Sequence, residues 1–354
     1  MSHVVRFESP GVVSLAEYED GPVGDSEVLI ETLYSGISAG TELTAAYQGT
    51  NPYTNKRWDE DRRLFVEGDH SIAYPIDGWG YEEVGRIADV GSRVKVVQAG
   101  QVIYGTWGHR STNRASEGWA ADRTIPEGLD PIVGVFSRIG AIALNAVLDA
   151  DLHLGETVAV FGQGVPGLIV GQLARLSGAT VVAVDAIPRR LELARRLGAH
   201  HVVNVSMADA APEVKAITDG RGADVAIEIS GSYPALHAAI RSVAYNSRVV
   251  SAGFFQGEAT GLFLGEEFHH NRPQIVASQI SGLNPSLDHR WTVERMERTV
   301  MDLAARGDLN LAALVSHVFP VQDCADAFRL LAERPEDTVQ VVLAFAGEIP
   351  KEFG

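Results

Sequence analysis

The sequence predicts an α/β protein of two domains, one β-rich and one a doubly wound parallel sheet. Three observations carry that reading. The chain has 354 residues, more than one hydrophobic core usually fills. Up to about residue 135, short apolar runs alternate with turns rich in Gly, Pro, Asp and Asn, a pattern of short strands. From about 141 to 290 the pattern changes to apolar strands alternating with helical stretches.

Taken in order, the first part offers strands at EVLIETLYSGIS, GYEEVGRIADVG, QVIYGTWG and GWAADRTIP. The second part has apolar runs at 157–161, 181–185, 201–205, 224–230, 248–254 and 274–278, separated by helices such as RRLELARRLGAH and YPALHAAIRSVA. Six such strands joined by crossovers describe a parallel sheet covered on both faces. After 291 come a helix (TVERMERTVMDLAARG), a strand (HVFP), a helix (ADAFRLLAE) and a strand (TVQVVLAF). The parallel sheet is already complete by then, so residues 291–354 are expected to rejoin residues 1–140, with 141–290 inserted. The cleft between two such domains is the natural place for a site.

Composition narrows the function. Hydrophobic residues make up 45% and charged residues 21%, as in ordinary soluble globular proteins. The formal net charge of −17 argues against nucleic acid and anionic membrane as partners, because both are polyanions. The one cysteine, Cys324, allows neither an internal disulfide nor a thiolate zinc cluster. The start, MSHVVRFESPGVVSL, alternates like a strand, and no apolar stretch of roughly 18 residues stands out, so a cytoplasmic location is expected.

The most informative run is 157–185, TVAVFGQGVPGLIVGQLARLSGATVVAVD. An apolar strand leads into Gly162, Gly164 and Gly167 at G-x-G-x-x-G spacing, then a helix, then a second strand ending in an acid. Gly162 permits the tight turn, Gly164 lets backbone approach a pyrophosphate, and Gly167 lets helix and strand pack closely. The helix starting near Val165 and Pro166 points free N–H groups and its positive end at the phosphates. Asp185 stands where a carboxylate accepts from the adenosine ribose and repels a 2′-phosphate, favouring NAD over NADP. Arg189 and Arg190 follow closely, lying over the adenine or solvated, and keep mixed NAD/NADP use open.

The chain resembles the medium-chain dehydrogenase/reductase superfamily, alcohol dehydrogenase type, over essentially its whole length. The matching residues are SGISAGTEL (35–43), GYEEVGRIADVGSRV (80–94), the VAVFGQGVPGL turn, LARRLGAHHVVN (193–204), TDGRGADVAIEISG (218–231) and RVVSAGF (248–254). The motifs G-I-S-x-G-T-E and G-Y-E are similar to a subgroup that includes bacteriochlorophyllide-type dehydrogenases. The resemblance implies a GroES-like catalytic domain, a Rossmann coenzyme domain, hydride transfer between nicotinamide and an alcohol or carbonyl, and a homodimer or homotetramer. It also places Ser230 and Gly253 beside the nicotinamide.

The departures from the family are as informative as the matches. Zinc-dependent members hold their catalytic metal with a cysteine, a histidine and a further cysteine or acid; the corresponding places here carry Ser38, Tyr81 and Ser137. Hydroxyls are poor zinc ligands, so no catalytic zinc is expected. A side-chain acid–base must then serve the substrate oxygen. Tyr81 is the first candidate and His109, in YGTWGHRSTNRASEGW near the expected cleft mouth, the second. Glu42 and Glu82 match acids behind the metal in the family and would orient Tyr81 or Ser38, with Thr41 in the same relay.

His269, His270, Asn271 and Arg272 form a further polar cluster, read as lining either the substrate pocket or a subunit seam. The stretch 47–79 is long for a connection and rich in Tyr, Trp, Asn and charge, which suits a polyhydroxylated or cyclic substrate. The reading is thus a zinc-independent NAD(H)-dependent alcohol dehydrogenase or ketone reductase acting on a small molecule. Two others stand beside it: a C=C reductase of the quinone or enoyl kind, and a non-catalytic NAD(H)-binding protein.

Overall fold

The computed structural model describes residues 2–50, 52–68 and 71–351. They form two compact units, Met1–Arg138 with Leu311–Gly354, and Ile139–Asn310. The helix Val293–Ala305, expected with the first unit, therefore falls in the second.

The second unit is built on six parallel strands in the order His201–Asn204, Thr180–Asp185, Thr157–Phe161, Ala223–Glu228, Val243–Ser251 and Gln274–Ala277. The first three strands run outward from Thr157–Phe161 in one direction and the last three in the other, so the order reverses beside the glycine turn. Ligands of open parallel sheets bind outside the carboxyl ends at such a reversal. On one face of this sheet Phe161, Val182, Val184, Ala226 and Val249 cluster with Ile240 of the helix Tyr233–Ser242. Their strands read as continuous apolar runs because both faces are covered.

The first unit holds a mixed sheet whose centre is the long strand Glu27–Ile37. On one side it pairs with Glu83–Val90, which pairs with Val102–Gly105; on the other it pairs with Gln340–Ala344, which pairs with Val315–Pro320. Thr112–Ser116 adds to the first half of Glu27–Ile37. The tail thus enters the first unit through Val341↔Ile37 and Ala344↔Tyr34. A separate three-stranded sheet joins Ser2–Ser9, Val12–Tyr18 and Ile76–Asp77.

Two expectations change. GWAADRTIP contains no strand; Glu117–Ala121 is a short helix capped by the Ser116 hydroxyl, which accepts from the Trp119 N–H. The polar cluster at 269–272 begins with the short helix His269–Asn271, and both histidines are exposed. The stretch 131–150 is long and apolar enough to cross a membrane, contrary to the sequence expectation. It is mostly buried, as a 3-10 turn Pro131–Phe136 running into the helix Ser137–Ala150, which marks it as a core element.

Candidate functional site

In the second unit the glycine turn has the geometry its spacing predicts. Gly162 adopts φ +95°, which side chains rarely tolerate. A Cβ on Gly167 would stand 1.8 Å from the Gly162 carbonyl oxygen, so only glycine allows the helix to sit this close to the strand. Gly164 differs: a Cβ there would find only Pro166 Cδ, at 3.9 Å, leaving open space where a ligand approaches. It caps the helix Val165–Leu176 with no side chain over the first turn, so the orphan N–H groups remain available to an anion.

Asp185 is tied to this turn. Its Oδ2 accepts from the Gln163 N–H at 2.6 Å and its Oδ1 from the Ile187 N–H at 2.8 Å. A carboxylate has about four acceptor positions, so each oxygen keeps one for a ribose hydroxyl. At the next strand end, Ser230 donates its N–H to Glu228 Oε1 at 2.8 Å, and its hydroxyl bonds the same oxygen. Glu228 Oε2 takes the Gly231 N–H at 3.2 Å, and a Cβ on Gly253 would crowd that oxygen at 2.7 Å. Burial pushes the Glu228 carboxyl up, against the hydrogen bonds it accepts. Glu228 was missed in the sequence, although an acid inside the apolar run ADVAIEIS is the signal that marks it. Arg189 and Arg190 lie in the first turn of the helix Pro188–Arg196.

In the first unit the motif positions converge on a cluster of polar side chains. Ser38 starts the short helix Ala39–Glu42, where a serine hydroxyl ordinarily caps the backbone. It makes no such bond and instead hydrogen-bonds the Tyr81 hydroxyl. Glu42 reaches back to accept the Ser38 N–H at 2.9 Å, doing for the turn what a capping-box acid does. The Tyr81 hydroxyl also donates to Thr41 Oγ1 at 3.4 Å, a long and therefore weak bond. Tyr81 is only partly exposed; burial first, then the Glu82 charge, pushes its phenol well above 10, against the Ser38 and Thr41 bonds.

Behind this lies a sealed network. The other Glu42 oxygen is 2.6 Å from His109 Nε2, and both side chains are fully buried. His109 Nδ1 is 2.6 Å from Ser35 Oγ, which donates to Glu83 Oε1 at 3.1 Å. Ser35 has a single proton, so His109 Nδ1 must carry the hydrogen between them. Burial alone would push the imidazole down; Glu42, with Glu83 behind it, outweighs this and leaves it raised above 6.5. Glu83 also accepts the Trp107 N–H at 2.6 Å. His109, expected near a cleft mouth, is therefore an interior residue holding Glu42. Ser35 and Glu83 face each other as register partners of Glu27–Ile37 and Glu83–Val90, a pairing the sequence reading did not contain.

Glu82 and Ser137 stand apart. Each is buried, and the Glu82 Oε2 and the Ser137 hydroxyl have no hydrogen-bond partner. Burial, then Glu42 and Glu83, pushes the Glu82 carboxyl well above its usual range, toward the neutral acid. The structure thus joins Ser38, Thr41 and Tyr81 directly, links Glu42 and His109 to them, ties Glu82 to Glu83 through its backbone N–H at 3.1 Å, and gives the Glu82 carboxyl and the Ser137 hydroxyl no bond to the group among the described residues.

Tetrahedral zinc takes thiolate, imidazole and carboxylate. At the three family positions stand two serine hydroxyls and a phenol, with Ser38 and Tyr81 already hydrogen-bonded to each other. That donor set does not fit zinc. Among the described residues, one group could bring three ligand atoms within 4.8 Å of each other, His237, Glu266 and Glu267 in the second unit. Arg241 competes there, 3.2 Å from Glu267.

Known proteins agree with this architecture. Residues 166–298 match the zinc-binding dehydrogenase family. The D-guloside 3-dehydrogenase of Shigella flexneri is 30% identical over 346 residues, 95% of this chain and 98% of that one. Among solved structures, 2R,3R-butanediol dehydrogenase from Bacillus subtilis superposes with a TM-score of 0.77 at 21% identity, over 98% of this chain and 100% of that one. A dehydrogenase-family protein of Sinorhizobium meliloti 1021 solved with NADP bound gives 0.76 at 22% identity, covering 98% and 99%.

Proposed function

From the medium-chain dehydrogenase/reductase superfamily, to which this chain belongs as an oxidoreductase of the alcohol dehydrogenase type, we propose that it interconverts a small secondary alcohol and its ketone with NAD(H) and without a catalytic zinc. The substrate we propose is a glycoside or polyol, the class to which the D-guloside of its Shigella relative belongs.

The observation that carries this reading is the Ser38–Tyr81–Thr41 hydroxyl cluster at the family's metal positions. A dinucleotide held over the Gly164 turn and Asp185 would supply or take the hydride. The Ser38 hydroxyl donates into the phenol oxygen, which leaves the Tyr81 proton, loosely engaged at 3.4 Å, to turn toward a carbonyl oxygen. A phenol raised above 10 stays protonated at neutral pH, so Tyr81 serves as the proton donor in ketone reduction. Glu42, pinned by His109, keeps Ser38 in place through its N–H. Asp185, fixed by two backbone N–H groups, supports NAD over NADP, because a 2′-phosphate would meet a carboxylate. The edge strand Gln274–Ala277, with Ile275 exposed, supports a homodimer or homotetramer.

Tyr81→Phe tests the reading. It removes the proton and keeps the ring, so kcat for ketone reduction should fall by about 10²–10⁴-fold. The loss of its two bonds should cost roughly 1–2 kcal/mol of stability. Unchanged kcat in a folded variant rules Tyr81 out as the donor.

A further inference from the structure

The chain leaves the hydroxyl cluster after Glu42 and returns to it at Tyr81. Both ends of the excursion are pinned there, since Ser38 and Thr41 bond the Tyr81 hydroxyl. Its inner part is tied to the same segment: the Tyr74 hydroxyl donates to the Ala46 carbonyl at 2.7 Å, and the Thr50 N–H to the Thr44 carbonyl at 2.8 Å. The outer part carries a small hairpin, Arg57–Asp59 paired with Leu64–Val66. This hairpin hangs on the inner part through the Ile72 N–H to the Tyr53 carbonyl at 3.0 Å and the Trp58 N–H to Ser71 Oγ at 2.9 Å.

Trp58 and Phe65 are direct cross-strand partners, so their side chains share one face of the hairpin. Their ring centres are 4.9 Å apart, and Tyr53 packs edge-on to Phe65 at 5.1 Å. The cluster reaches solvent: Phe65 is 38% exposed, and Tyr53 and Trp58 are half-buried. Charged pairs sit at the same hairpin, Lys56 with Glu67 at 3.2 Å and Arg57 with Asp59 at 3.7 Å. An apolar π surface with charged groups nearby is what a sugar ring requires, because its C–H faces meet the negative ring face while its hydroxyls meet charge.

We propose that Tyr53, Trp58 and Phe65 form a stacking platform for a pyranoside ring, the non-reacting part of a glycosidic substrate. The inference rests on the glycoside reading above. It makes the insertion a specificity element, with remote binding energy positioning the reacting carbon.

The probe is methyl β-D-glucopyranoside, whose two ring faces both present axial C–H bonds. Saturation-transfer NMR on the full-length protein with NADH should show transfer to its ring protons. Transfer should survive Trp58→Phe and fade with Trp58→Leu, which keeps an apolar side chain but removes the π face. In turnover, Trp58→Leu should raise KM for a methyl glycoside about tenfold more than KM for D-sorbitol, about 1.4 kcal/mol. No transfer in the wild type, or equal effects of Trp58→Phe and Trp58→Leu, overturns the platform. So does a change of oligomeric state on Trp58→Leu, which would assign the face to a second copy. Transfer without turnover of either compound leaves the platform standing and removes the dehydrogenase reading.

Discussion

The two units solve the problem of a polar site differently. In the second, the groups that face a ligand are backbone: first-turn N–H groups over Gly164, and a carboxylate clamped by two more N–H groups. In the first, the polar groups are side chains, and most are sealed: Glu42, Glu82, Glu83, His109 and Ser35 are all essentially inaccessible. A backbone site needs only short-range sequence to form and is open by construction. A side-chain site of this kind needs distant residues in register, and its stability and its chemistry are coupled.

That difference is broken most severely at Glu42. Glu42→Ala strands the His109 imidazole and the Ser38 N–H in the interior, and cutting one partner from a buried pair costs about 3–5 kcal/mol. Urea unfolding should show a loss of this size; a loss under about 1 kcal/mol would mean that the pair does not hold the cluster.

The glycine turn separates steric need from ligand need. Gly167→Ala forces a methyl group onto the Gly162 carbonyl and should cost about 1–3 kcal/mol along with cofactor binding. Gly164→Ala meets open space and should shift stability by less than about 0.5 kcal/mol. It should nonetheless weaken NADH binding by about tenfold, read by fluorescence titration. Equal stability losses in the two variants would contradict the division of labour between these glycines.

The pH dependence is subtler. The raised Glu82 carboxyl means that the folded state holds this proton more tightly than the unfolded chain. Its stabilising effect is therefore largest in acid and is lost as pH rises from about 4.5 through the folded value, at about 1.4 kcal/mol per pH unit. His109, also raised, contributes fully below about 6.5 and loses its contribution as pH rises through its own higher value. Glu82→Gln removes the first component only. Its urea midpoint should fall less than the wild type's between pH 5 and pH 8; parallel curves would place the Glu82 titration elsewhere.

How much of this was legible in the sequence follows from the same contrast. The strand, glycine turn, helix and Asp185 lie within thirty residues or so, and local sterics alone select them. That Ser38 and Tyr81 would lie together was suggested by the two motifs that carry them, and the structure does bring their hydroxyls into contact. What could not be read was where Glu42 and His109 point. Their contact spans 67 residues, His109 reaches Ser35 across 74, and Ser35 reaches Glu83 across 48. Those distances are set by the register of Glu27–Ile37 against Glu83–Val90, and bulges at Leu29/Ile30 and Thr32/Tyr34 shift that register. The short helix in GWAADRTIP was hidden for a smaller reason: at five residues it is too short to show a helical apolar period, and its Ser116 cap lies just outside that run.

The central claim is that Tyr81 and Ser38 do the work of a metal. Metal content alone is a poor test, because His237, Glu266 and Glu267 could hold an ion of their own. The decisive measurement is ketone reduction with NADH and NADPH by untagged protein before and after exhaustive chelation. Full activity after chelation, with NADH preferred, is the predicted result. Activity lost on chelation and restored by zinc would contradict the account.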